Sequence, residues 1–287
     1  MTAFVPQEFH YRLGWRLHGA RPGAHMTRTS GGVADFRGYA PFLDQPDPRR
    51  IDFRASLGAV PRRLMVRTFN ERGAVTVYAL VDISASMRFE GCARRHVLAA
   101  EIASSIAWSS TRHGDAFGLV ACDDAVRVEL FEPPSTRRAV ALDIHRRLLA
   151  AYGDGAAGAS ALSQAAGRLR RYRSLVFLIS DFHFDDELMR RVMESLSMHD
   201  VVPIVLWDRA ECVDLPRWGW ARVRDMEGGG ERSLFLRPKL AQRIHDAYAA
   251  RRDWLASQCR AYGARPPFYV DDAFHGDHLE RHMLETC

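Results

Sequence analysis

A chain of 287 residues that is 47% hydrophobic and 26% charged can bury a real core, and it has room for one large α/β domain plus a smaller accessory segment. Its formal charge of +5 is carried by arginine, since Lys239 is the only lysine; the arginines are scattered, in short pairs such as Arg49-Arg50 and Arg170-Arg171, which argues against dedicated nucleic-acid binding. No apolar run approaches the ~20 residues of a membrane span, no basic stretch followed by an apolar core opens the chain, and five cysteines without a Cys-x-x-Cys indicate neither a disulfide framework nor a zinc site. A soluble, cytoplasmic protein with reduced thiols is expected.

Residues 1–70 are rich in Gly, Pro and Arg and read as an irregular segment with short strands, such as Leu64 to Phe69. From residue 75 apolar strands alternate with helical stretches. Strand 75–82 precedes a helix over 91–112, whose apolar face is Val97, Ala100, Ile102 and Ile106. Strand 117–122 turns at Asp123-Asp124 into 126–131, an antiparallel hairpin. A helix over 136–150 follows Pro133-Pro134, and residues 153–158 are a loop by composition. Helix 160–171, strand 175–179, helix 185–198 and strand 201–207 continue the alternation. A hairpin (221–226 with 232–237), a long helix over 238–262, a short strand at 268–270 and a polar tail complete the chain. The pattern predicts a doubly wound, mainly parallel sheet with helices on both faces. Its organisation is an N-terminal segment (1–70), an α/β domain (71–240) and a helical extension (241–287).

Open parallel sheets bind ligands beyond the carboxyl ends of their strands, where the strand order reverses. Asp82 and Asp181 each end a strongly apolar strand. Ser84 and Ser86 follow Asp82 at two-residue steps, and the loop carrying Ser160 should enter the same edge. Together Asp82, Ser84, Ser86, Ser160 and Asp181 would offer only hard oxygens, the donors that suit Mg²⁺ or Mn²⁺. The same residue types are also ordinary helix caps.

Three ordered stretches, Asp82-Ile83-Ser84-Ala85-Ser86-Met87, Gly158-Ala159-Ser160-Ala161-Leu162 and Leu178-Ile179-Ser180-Asp181-Phe182, resemble the metal-ion-dependent adhesion site of a von Willebrand A domain. Upstream, Phe36-Arg37-Gly38-Tyr39 and Asp47-Pro48-Arg49-Arg50-Ile51-Asp52-Phe53-Arg54-Ala55-Ser56 resemble the signature of the domain-of-unknown-function 58 family. The chain departs from that family at Asp44-Gln45-Pro46-Asp47, at Phe53 where a Trp is usual, and at Ser160 where a Thr is usual. The resemblance implies a metal-dependent protein-binding adaptor rather than an enzyme. It would work with a MoxR-type AAA+ ATPase on a client protein that offers an Asp or Glu to the metal. A soluble member is similar to accessory proteins of methanol-oxidation clusters, implicated in activating methanol dehydrogenase.

The competing reading is a metal-dependent phosphoester hydrolase. A haloacid-dehalogenase-type phosphatase needs a second Asp where Ser84 stands, and no phosphate-binding Gly-rich loop ending in Lys occurs. His183, two residues after Asp181, is the one histidine placed to act as a base there. His275, His278 and His282 share a helical spacing that could bind a transition metal; an exposed polar tail is the simpler reading.

Overall fold

Three antiparallel strands, Pro22–Met26 (β1), Ala34–Pro41 (β2) and Met65–Gly73 (β3), form a sheet in the order β1-β3-β2. The computed structural model describes residues 4–15, 22–26, 34–44, 46–152, 158–212, 218–224 and 231–286. The chain divides into two units: residues 13–75 with 113–115, and residues 1–12, 76–112 and 116–287.

In the smaller unit a short helix, Phe53–Gly58 (α1), is fixed by polar contacts. Asp52 caps it, accepting the Ala55 amide at 3.0 Å. The other carboxylate oxygen of Asp52 takes Arg67 Nε at 2.7 Å and the Tyr39 hydroxyl at 3.3 Å. The Ala55 amide, then Arg67, hold the Asp52 carboxyl below its ordinary pKa. The Ser56 hydroxyl donates to the Asp52 carbonyl at 2.6 Å and accepts the Met65 amide at 2.8 Å. The segment Asp47 to Ser56 is thus tied to β3 by side chains its own sequence supplies.

The larger unit is a mixed α/β structure around a six-stranded, mostly parallel sheet flanked by helices. In chain order it contains Thr76–Asp82 (β4), Arg95–Arg112 (α2), Ala116–Cys122 (β5), Glu132–Ser135 (β6), Val140–Ala151 (α3), Leu162–Ala165 (α4), Leu175–Ser180 (β7), Asp186–Leu196 (α5), Asp200–Leu206 (β8) and Arg209–Cys212 (α6). A separate hairpin, Gly219–Arg224 (β9) with Glu231–Leu236 (β10), is followed by Pro238–Ala261 (α7), Phe268–Val270 (β11) and Gly276–Glu285 (α8). The order is β11-β8-β7-β4-β5-β6, with only β6 antiparallel. Strands β4, β5, β7 and β8 are buried along their whole length, which explains their unbroken apolar runs. Alternate residues serve opposite faces. Tyr78, Leu80, Val176 and Leu178 pack with Leu162, Met189, Val192 and Leu255, while Phe177 meets Phe9 edge-on, ring centroids 6.2 Å apart.

Several expectations shift on contact with the structure. The antiparallel partner of β5 is 132–135 rather than 126–131. A 3₁₀ turn over Val128–Leu130 intervenes, a Cys122–Val126 bridge keeps one rung of the hairpin, and Pro133 and Pro134 sit in an edge strand where a missing N–H is tolerated. The expected helix 160–171 shortens to α4 and a 3₁₀ turn at Ala166–Arg168, where Gly167 is a poor helix former. The polar tail is helical, because Leu279 and Met283, four apart, bury one face of α8. Residues 4–12 are not lead-in. The Gln7 and Phe9 amides donate to Ser105 and Ser109 of α2 at 3.1 and 3.0 Å, and Gln7 bridges the Phe274 carbonyl and the Gly276 amide. The expected loop at 153–157 lies outside the described residues.

Candidate site at the carboxyl edge of the sheet

Strands β4 and β7 are parallel neighbours, with Val81 opposite Ile179. The chain passes from β4 to β5 on one side and returns to β7 on the other, so the strand order reverses between β4 and β7. Asp82 and Asp181 therefore leave the sheet together at that crevice, as the sequence predicts. Carboxylates also follow the flanking strands: Asp123 and Asp124 after β5, and Asp208 after β8. The edge gathers acid because each strand turns there, and Asp accepts the amides that a turn leaves unpaired.

Asp82 is completely buried. One of its carboxylate oxygens accepts the Ser84 amide at 2.9 Å, and the other accepts the Ser180 hydroxyl at 2.6 Å. Its backbone carbonyl takes the Tyr152 hydroxyl at 2.9 Å. No ion pair to Asp82 occurs among the described residues. Burial, then the neighbouring charge of Asp181, raise its pKa to about 7 against the pull of Ser180 and Ser84. The Ser84 and Ser86 hydroxyls stand beside it, 3.1 Å apart.

Asp181 is equally buried but is engaged by Arg95 and His183. Arg95 Nη1 lies 2.8 Å from Oδ2, and His183 Nδ1 lies 3.5 Å from the same oxygen. Burial alone would raise the Asp181 carboxyl; the hydrogen bond and charge of His183 and the charge of Arg95 outweigh it and hold the group down to about 2. Arg95 is itself buried. Its Nη1 also donates to the Ser86 carbonyl at 3.0 Å, and its Nη2 is bound to Glu211 of α6. One guanidinium thus ties the loop after β4, the end of β7 and the helix after β8. The next residue, Phe182, is non-glycine with φ of 54°, a strained conformation. Arg251 of α7 donates to its carbonyl at 3.1 Å and to that of Phe184 at 2.8 Å. His183 stacks on Trp207, whose indole N–H reaches the Asp181 carbonyl at 2.7 Å.

Ser160 is at the same edge, since the adjacent Ala161 amide donates to the Asp123 carbonyl at 3.0 Å. Its hydroxyl, however, donates to Asp124 at 3.0 Å, and Asp124 also takes the Gly158 amide at 3.0 Å. A Cβ on Gly158 would lie 2.5 Å from the Asp124 carboxylate, which would have to shift to admit it. Asp123 is neutralised by Arg127. On the far side, Asp208 accepts the Ala93 and Ala210 amides, at 3.0 and 2.8 Å, which outweigh burial and hold its carboxyl low. A Cβ on Gly91 would lie 2.6 Å from that carboxylate.

Asp82, Ser84 and Ser86 thus form a cluster of oxygens around an uncompensated charge, Asp181 stands beside them engaged by Arg95 and His183, and Ser160 is engaged by Asp124. A buried carboxylate with paired hydroxyls fits a hard divalent cation by charge and by donor type. Among the described residues no three His, Cys, Asp or Glu side chains cluster tightly enough to hold a metal by themselves, so hydroxyls are indispensable to such a site. Sequence reading missed Arg95, Glu211 and Asp124. Asp124 was legible by the logic that found Asp82, a carboxylate after an apolar strand; Arg95 and Glu211 carry no local signal. The three tail histidines do not converge: His275 and His278 are 5.1 Å apart by ring centroid, while His282 turns to the Pro266 carbonyl and the Phe268 ring.

The family described as "Protein of unknown function DUF58" matches residues 36–253, across both units. Uncharacterized proteins of Mycobacterium bovis and Mycobacterium tuberculosis are each 26% identical over 253 residues, covering 87% of this chain and 78% of theirs. Among solved structures, a conserved hypothetical protein, BatB, from Bacteroides thetaiotaomicron aligns with 12% identity and a TM-score of 0.43, over 74% of this chain and 98% of its own; a score that low adds nothing on the fold. Among the described residues no helix is long and apolar enough to cross a membrane.

Proposed function

We propose that this chain, which belongs to the DUF58 family, is a metal-dependent protein-binding adaptor whose larger unit acts as a von Willebrand A-like domain. The observation that carries the reading is Asp82: a fully buried carboxylate, without a cationic partner among the described residues, beside two hydroxyls at the switch point of a parallel sheet. Asp82, Ser84 and Ser86 would hold Mg²⁺ or Mn²⁺ directly. Asp181 and Ser160 would support the site from their contacts with Arg95 and Asp124. When bound, the ion supplies the charge that Asp82 lacks and a Lewis-acidic position for a further carboxylate. That carboxylate belongs to a partner protein. The adaptor role, joining a MoxR-type AAA+ ATPase to a client enzyme such as methanol dehydrogenase, follows the family resemblance. The chain itself is expected to lack hydrolase and ATPase activity.

Calorimetry with Mn²⁺ tests the site: modest affinity is expected for wild type and none for Asp82→Ala, and equal binding by both would refute it. Co-purification of the cognate ATPase and client tests the bridge. Recovery should fall in EDTA and with Ser84→Ala/Ser86→Ala; full recovery in either would make the ion structural.

One observation favours the hydrolase alternative. His183 is partly exposed and lies beside Asp181, where a base would be needed. Its tie to Asp181 and its stacking on Trp207 equally suit a positioning role. Metal-dependent turnover of a generic phosphoester, lost in His183→Ala, would decide for the hydrolase.

A further inference from the structure

Around α1 polar side chains are bound while large apolar ones are left exposed. The polar groups around α1 are engaged with one another: Asp52, Ser56, Tyr39 and Arg67 bind each other and the backbone. On α1 and in the turn after it, large apolar side chains are exposed. Phe53 and Leu57, four apart on α1 and so on one face, are 72% and 74% exposed, and Val60, just beyond the helix, is 98% exposed. Soluble proteins expose isolated apolar residues routinely; a helix face and its following turn presenting three large ones is a binding-surface signature. The charges around it are one-sided. Arg54, Arg62 and Arg63 are exposed and form no ion pair among the described residues, while the two acidic residues of the stretch, Asp47 and Asp52, are spent on Arg50 and Arg67.

We infer that α1 and the turn after it form a docking surface, separate from the carboxyl-edge site, for an acidic amphipathic helix of a partner protein. Its apolar stripe would lie on Phe53, Leu57 and Val60, and its flanking carboxylates would meet Arg54, Arg62 and Arg63. The charge pattern selects an anionic partner, and the guanidinium fork pairs two-pronged with carboxylates. Rigidity selects a protein over a lipid surface. Two side-chain hydrogen bonds tie α1 to β3, the Met65 amide to Ser56 and Arg67 to Asp52, and two more close the first turn of α1, so the anchors are held in place before binding, which lowers the ordering cost of a shaped interface and is of no use against a fluid one.

The probe is a synthetic amphipathic helix with leucines on one face and glutamates flanking it, compared with its glutamate-to-lysine counterpart. A third arm uses vesicles of phosphatidylglycerol and phosphatidylcholine. Fluorescence polarisation on the full chain should show binding of the acidic peptide only, and vesicle co-sedimentation should show none. Affinity should fall roughly tenfold in Leu57→Ser and in Arg54→Glu/Arg63→Glu, both melting like wild type. EDTA should change nothing, which separates this surface from the metal site. Unchanged affinity in both variants, equal binding of the lysine peptide, no peptide binding, or binding to vesicles alone would each overturn the inference.

Discussion

The two units solve opposite problems. In the larger one, strands buried from end to end carry the stability, so its carboxyl edge can hold charges that oppose folding, Asp82 foremost. In the smaller one, a network of side-chain hydrogen bonds around Asp52 holds a short helix whose apolar residues face water. Where a core is large, polar groups are free to serve a site; where it is small, polar groups do the holding and apolar ones are left for contact. The carboxylates at the centre of each arrangement make the contrast concrete. Asp52 caps a helix, is paired with Arg67 and is held low, whereas Asp82 is buried, has no cationic partner among the described residues and is pushed up.

The strongest way to break that comparison is at Arg95, the one buried cation tying the edge together. Replacing it by Met strands Asp181 and Glu211 without their guanidinium, and urea unfolding should show a loss of about 3–5 kcal/mol. A loss below about 1 kcal/mol would mean that the edge is not organised by this residue.

Next in size is Asp82→Asn, and here pH reads the effect. A carboxyl whose folded pKa is raised from 3.8 to about 7 contributes stability that is complete below the unfolded pKa and is lost as pH climbs through about 7. Asp181 runs the other way: its contribution is present above 3.8 and disappears as pH falls through about 2. In EDTA, wild type should therefore lose stability between about pH 4 and 7, and Asp82→Asn should not, ending about 2–4 kcal/mol more stable than wild type at alkaline pH. Parallel melting curves across that range would show that Asp82 is compensated after all.

The large unit was mostly legible because burial on both sheet faces writes itself into sequence as continuous apolar runs: 75–81, 175–179 and 201–207 needed no other signal. Asp82 and Asp181 were legible because they end such runs. Arg95 and Glu211 were not, because a tertiary ion pair between the start of one helix and another helix 116 residues away leaves no local periodicity. In the smaller unit only the strand at Leu64 to Phe69, most of which falls in β3, was read, and the rest was taken as irregular. Its strands pair antiparallel, with a register shift between Phe36 and Gly38 that breaks the alternation, and its helix of six residues is too brief for periodicity to show. Residues 4–12 were opaque for a related reason. An extended segment that pairs with serine side chains of α2, rather than with a strand, has no pattern of its own.

Two smaller effects sharpen the contrast. Asp52→Ala removes the cap of α1 and its tie to Arg67, so amides of α1 should exchange several-fold faster while those of α2 keep wild-type protection. Equal acceleration in both helices would mean the units do not unfold independently. Leu57→Ser should be nearly silent, within about 0.5 kcal/mol by urea titration, since the side chain is already in water. A larger loss would place Leu57 in the unit's own core.

The seam made by residues 4–12 has a practical consequence. Phe9 fills space against Phe177, His10 reaches Glu280, and Arg265, bound to Asp200 through two hydrogen bonds, also holds the Arg12 carbonyl. The larger unit is therefore a host that begins, is interrupted by the smaller unit as a guest, and resumes at Thr76. Cloned from Thr76 onward, the host would lack its aromatic plug, a defect comparable to a Phe→Ala substitution at about 3–5 kcal/mol. Supplying residues 1–12 as a separate peptide should restore that packing in trans, so the host could be assembled from two pieces and the guest handled as an exchangeable insert.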